Sequence, residues 1–87
     1  MISFRGRYRM VNLNTVLTNM VKAIVDDPAA VSVAESENNG ELILELTVAP
    51  NDMGKVIGKH GRIAKALRMV MKSAAASVDR KVVVKIK

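Results

Sequence analysis

Between residues 54 and 62 the chain reads GKVIGKHGR: three glycines, three basic side chains and the only histidine, His60. The stretch lies between an extended apolar run and the longest helical pattern of the sequence, and it constrains the fold more than any other segment. Glycines so placed let a backbone turn sharply and approach a ligand without Cβ atoms in the way. Basic side chains beside such a turn suit a phosphate, either that of a nucleotide to be hydrolysed or those of a nucleic-acid backbone.

Spacing separates these readings. A nucleotide-hydrolysing P-loop needs four residues between its glycines and a Ser or Thr after its Lys. Here three residues separate Gly54 from Gly58, and His60 follows Lys59. A dinucleotide fingerprint needs G-x-G-x-x-G directly after a strand, whereas this chain has no G-x-G and its glycines follow a short helical segment. The G-x-x-x-G of Gly54 and Gly58 matters only in a long apolar span, which is absent. What remains is a G-x-x-G, Gly58-Lys59-His60-Gly61, joining two helices, with Gly54 expected as a packing position in the first.

The flanking patterns give the element order. Apolar residues at 13, 16, 17, 20, 21, 24 and 25 follow the rhythm of one helix face, with Asn12 as N-cap and Pro28 beyond the end, which predicts an amphipathic helix of about four turns. VSVAE (31–35) alternates weakly, SENNG (36–40) has turn chemistry and ELILELTV (41–48) is strand-like, so two strands joined by a loop follow. A short helix starts at Asn51 or Asp52 and stops at Gly58. After Gly61 a long helix is expected, with Ile63, Leu67, Val70, Ala74 and Val78 on its apolar side and Arg62, Lys65, Arg68 and Lys72 nearly opposite. RKVVVKIK closes the chain as a strand. The order is α-β-β-α-α-β, and the two-helix crossover predicts that the second and third strands run parallel.

Charge reinforces the phosphate reading. Residues 1–50 carry four basic against six acidic side chains, a net −2, while residues 51–87 carry ten against two, a net +8, within the overall +6. A basic half joined to an acidic half points one face at a polyanion. The 87 residues suffice for one small domain and leave no room for a deep enclosed active site. With no cysteine and a single histidine there is no thiolate metal site, no histidine cluster and no need of an oxidising compartment, so no cofactor and a cytoplasmic location are expected. No signal or membrane-span pattern follows the three arginines of MISFRGRYRM. Residues 1–9 read as an extended or mis-assigned start or a disordered basic tail, and residues 10–87 as the domain. No nucleophile–base pair or carboxylate dyad lies near the loop, so an enzyme is not expected.

On these residues the chain resembles a known family. VIGKHGR is similar to the V-I-G-K-x-G-R signature of the KH nucleic-acid-binding domain, and the order α-β-β-α-α-β is that of its bacterial, type II arrangement. The resemblance runs from about residue 11 to 87 and is nearest to the KhpA family of small stand-alone bacterial KH proteins. It implies an α+β fold with a three-stranded mixed sheet covered on one face by helices. It implies backbone contact at Gly58, Lys59, His60 and Gly61, with a few unpaired bases in an aliphatic groove whose matching positions are Val56, Ile57, Ile63 and Leu46 or Val48. The family's variable loop, the other lip of the groove, corresponds to Glu37 to Gly40. Lys55, Arg62, Lys65 and Arg68 are the expected electrostatic contributors, while Lys72, Lys81, Lys85 and Lys87 read as solvated charge.

The resemblance further implies a single-stranded RNA partner, ribosome or mRNA association, self-association or pairing with a larger bacterial KH protein, and a role as RNA chaperone or post-transcriptional regulator linked to cell-shape and envelope control. Phe4 and Tyr8 are the only aromatics, so folds that stack bases on aromatic side chains are disfavoured and a single copy should bind weakly. Two alternatives stay open: a protein-interaction module whose basic loop is incidental, and a single-stranded DNA binder.

Overall fold

The computed structural model describes residues 12–87. The tail expected over 1–9 lies outside the described residues. Six main elements follow in the order α1 (Leu13–Lys22), β1 (Ser32–Asn38), β2 (Glu41–Thr47), α2 (Met53–Ile57), α3 (Arg62–Ala76) and β3 (Lys81–Ile86), with single 3-10 turns at Pro28–Ala30, Pro50–Asp52 and Lys59–Gly61. The sheet order is β1-β2-β3; β1 and β2 are antiparallel and β2 and β3 parallel, as the crossover requires.

The core lies between one face of this sheet and the helices. Leu42, Leu44 and Leu46 alternate inward along β2 and meet Leu17 and Val21 of α1, Val56 of α2, Met71 of α3 and Val84 of β3. Each fully buried aliphatic side chain contributes ~1.5–3 kcal/mol relative to exposure. The other face of β2, bearing Glu41, Ile43 and Glu45, is only partly covered.

Three local features differ from the sequence expectation. The Asn12 side chain caps α1 by accepting from the Thr15 N–H, but the helix ends at Lys22, after ten residues. Val25 still reaches the core from the turn beyond it, because the chain must leave the helix to deliver the Asp26 and Asp27 amides to another partner. The turn predicted over 36–40 shrinks to Asn39-Gly40: β1 continues to Asn38, which pairs with Glu41, and the two turn residues have φ of 54° and 83°. That is the two-residue hairpin that Asn-Gly favours.

The third difference concerns α3. Its buried residues are Ala64, Leu67, Met71 and Ala75, a face about 65° around the helix from the one predicted. Ile63 and Val70 are 37% and 46% exposed. Leu67 and Met71, flanked by the small Ala64 and Ala75, carry α3 against the rest of the domain in place of Ile63 and Val70, and α3 is left with two open flanks.

Candidate nucleic-acid interface

Val56 is the only buried side chain of the five-residue α2. A helix so short cannot hold itself, so Val56, helped by the partly buried Met53, is spent on anchoring it to the core. Val56, expected to line a ligand groove, is therefore core. Leu46 and Val48 are core as well, at 0% and 6% exposure. Ile57, one position further, is 40% exposed at the end of the helix.

Gly58 then stops α2. Its φ of 76° and ψ of 174° lie in a region that only glycine occupies without strain, and a Cβ there would fall 2.3 Å from Cγ1 of Ile63. Gly61 is left-handed at φ 75°, ψ 15° and opens α3. Between them the loop closes on itself through the Gly61 N–H donating to the Gly58 carbonyl at 3.1 Å. Lys59 and His60 are both exposed. His60 is left-handed too, at φ 58° and ψ 24°; His, with Asn and Asp, is among the non-glycine residues that best tolerate this conformation. The histidine thus fits the loop's backbone first, and its ring is left free to donate to a phosphate.

Gly54 does not behave as a packing position. Nothing lies within 4 Å of a Cβ built there, and its carbonyl serves the helix end by accepting from the Gly58 N–H at 2.8 Å.

The structure sorts the expected cations. Arg62, Lys65, Arg68 and Lys72 are all exposed along one flank of α3. The Arg68 Nε–H donates to the Val84 carbonyl at 3.3 Å, which locates this flank beside β3. Lys55 is instead engaged with Asp26, Nζ to carboxylate at 2.5 Å. That hydrogen bond, and then the charge of Asp26, raise the Lys55 ammonium above its ordinary pKa. Its charge is partly neutralised before any ligand arrives. Lys87 approaches Glu45 at 3.6 Å.

Ile63 falls on the other flank. With Ala66 and Val70 it faces Met20, Ala23 and Ile24 of the α1 end across an open apolar groove. The Glu37–Gly40 hairpin is also distant from the loop. Glu37 pairs with Arg80 at 2.7 Å, beyond the C-terminal end of α3, and the helix between is ~22 Å long. The sequence reading passed over Asp52, read there only as a helix start. Its carboxylate makes no cap and turns inward, accepting from the Asp26 and Asp27 N–H groups at 3.1 and 3.0 Å.

Among the described residues no group of His, Cys, Asp and Glu could hold a metal ion, and no helix is long and apolar enough to cross a membrane. A glycine-flanked loop between two helices, opening onto a cationic helix flank in an α-β-β-α-α-β frame, defines a KH-type nucleic-acid-binding domain.

Comparison with known proteins makes the family specific. A family model described as KhpA/KhpB, KH domain, matches residues 14–86. The chain is 51% identical to the RNA-binding protein KhpA of Clostridium acetobutylicum, over 85% of this chain and 99% of that protein. It is 47% identical to RNA-binding protein KhpA of Caldanaerobacter subterraneus subsp. tengcongensis, with the same coverage. The chain belongs to the KhpA/KhpB KH-domain family, which is not a family of enzymes. In fold it is similar to Era of Aquifex aeolicus bound to GDP and aluminium fluoride, with a TM-score of 0.60 at 17% identity over 85% of this chain and 29% of that one. A second Era structure, in complex with MgGDPNP and nucleotides 1506–1542 of 16S ribosomal RNA, gives the same TM-score and identity. The chain spans under a third of the Era chains it matches.

Proposed function

We propose that this protein binds single-stranded RNA, clamping the sugar-phosphate backbone at Gly58-Lys59-His60-Gly61 and leading the strand along the flank of α3 that carries Arg62, Lys65 and Arg68. The observation that carries the reading is the loop itself: positive φ at Gly58, His60 and Gly61, with the only two side chains between the glycines both exposed and both able to donate to phosphate. The names of the relatives support it, since each is an RNA-binding protein. Ile57, exposed beside the loop, is the aliphatic residue best placed to meet a base. Lys55 contributes less than Lys59, because Asp26 already holds it.

No side chain of the loop singles out a 2′-hydroxyl, so single-stranded DNA of the same sequence is the informative competitor. Salt dependence is the test of the grip. With three or four phosphates neutralised, log affinity should fall against log salt with a slope of roughly −2 to −3. A flat dependence would exclude phosphate clamping.

The apolar flank of α3 favours a second component of the reading, association with another copy or with a larger KH protein. Ile63 and Val70, which line the groove, are large hydrophobic residues left 37% and 46% exposed. Two weak clamps in one assembly would bind a long RNA more tightly than either alone. By family resemblance the cellular role is that of a cytoplasmic RNA chaperone or post-transcriptional regulator linked to cell-shape and envelope control. Sedimentation of the wild type and of Val70→Asp tests the association: the variant should sediment as the smaller species.

A further inference from the structure

Asp52 is the buried charged side chain of the described residues, 1% exposed, and the phosphate clamp makes no use of it. A carboxylate is withdrawn from water only where other hydrogen bonds replace the water. Here Oδ1 accepts from the Asp26 N–H and Oδ2 from the Asp27 N–H, so one side chain at the start of α2 holds two successive amides of the α1–β1 connector.

The consequence lies in how α2 is held. With Val56 as its single buried residue and Met53 only partly buried against the core, the helix has little apolar anchorage of its own. Asp52 supplies a second fixed point four residues earlier, and the Lys55–Asp26 pair a third at the surface. The loop begins where α2 stops. Its N–H groups bond back to the Gly54 and Gly58 carbonyls and its Lys59 carbonyl accepts from the Arg62 N–H at the start of α3, so the point and direction at which it leaves the core are set by the end of α2.

We propose that Asp52 is a positioning residue for the G-x-x-G loop: its buried carboxylate fastens α2 to the α1–β1 connector and thereby fixes where Gly58 to Gly61 meet a nucleic-acid backbone. The proposal rests on the RNA reading above, and the residue touches no ligand.

The test compares wild type, Asp52→Asn and Leu42→Ala. Asn keeps the size but sets an amide NH2 against one of the two N–H donors. Leu42 is buried at the start of β2, which pairs with Val82 at the end of the sheet away from the loop, so its truncation destabilises without touching α2. Affinity for pooled single-stranded RNA and amide exchange at Lys59 to Gly61 are measured at a temperature where all three are folded. Asp52→Asn should bind about fivefold or more weakly, with faster loop exchange, while Leu42→Ala, at a similar loss of Tm, should keep both. Wild-type affinity and wild-type loop exchange in Asp52→Asn would overturn the proposal, as would an equal loss in Leu42→Ala. Wild type that binds no RNA defeats the RNA reading instead, and loop exchange still decides the positioning. Should Asp52→Asn not fold, native-state exchange of the wild type decides it: the Asp26, Asp27 and Gly58 amides should open in one event with a common denaturant slope, and independent openings would contradict it.

Discussion

The two open flanks of α3 are built from the same fifteen residues and present opposite chemistry. Toward β3 stand Arg62, Lys65, Arg68 and Lys72, charged and solvated. Toward α1 stand Ile63, Ala66 and Val70, apolar and only partly covered. A helix that spends Ala64, Leu67, Met71 and Ala75 on burial keeps two further stripes of opposite character. The cationic one suits a polyanion, and the apolar one suits a protein surface. Gly58 is where they meet, since it abuts Ile63 and launches Lys59 into the loop.

Substitutions can break this contrast, beginning at the junction. Gly58→Ala should have the largest effect. The new Cβ would collide with Ile63 and force a glycine-only backbone conformation, so a drop of about 2–4 kcal/mol in urea unfolding is expected, together with abolished RNA binding. Reversing the cationic flank with Arg62→Glu and Lys65→Glu should weaken RNA binding about tenfold or more and flatten the salt slope by about 0.7 for each phosphate that is no longer neutralised. Its stability should change by no more than about 0.5–1 kcal/mol, because both side chains are exposed. On the apolar flank, Val70→Asp should alter sedimentation but leave the affinity of a single copy for a short RNA within about twofold, with stability within ~0.5 kcal/mol. If Val70→Asp abolished binding of a short RNA, the division of labour between the flanks would be wrong.

The smallest effect is expected at Gly54, and it sharpens the contrast between two glycines four residues apart. With open space around its Cβ position and no positive φ, Gly54→Ala should raise stability by ~0.5–1 kcal/mol in the same unfolding assay. A decrease there would mean that Gly54 serves a close approach by ligand or backbone.

Much of this was legible in the sequence, for identifiable reasons. The glycine spacing, the Asn12 cap and the break at Gly58 are local signals, and local signals set the element order. The parallel β2–β3 pairing followed from that order. The orientation of α3 was not legible, because hydropathy ranks Ile63 and Val70 above Ala64 and Ala75, whereas it is the alanine-bearing face that is buried. The placement of Val56 in a groove came with the family resemblance, which implied it for Val56 and Ile57 alike: nothing in VIG says which of two adjacent aliphatics must anchor a five-residue helix. Asp52 was hidden because an acidic residue at a helix start reads as a cap. Its true partners, Asp26 and Asp27, lie twenty-six and twenty-five residues away, and only the fold brings them together. Asn39-Gly40, by contrast, carries a local hairpin signal inside the polar stretch 36–40, and the structure narrows the turn to those two residues.

The central claim is that the exposed pair between two glycines grips the backbone of a single strand, and one variant tests it directly. Lys59→Asp with His60→Asp makes both side chains of the loop acidic without touching Gly58, Gly61 or the core, and its affinity for pooled single-stranded RNA is compared with wild type at fixed salt. A drop of about tenfold or more, with circular dichroism and sedimentation unchanged, is the predicted result. Undiminished binding by a folded double variant would contradict the clamp and leave the apolar flank as the working surface of the protein.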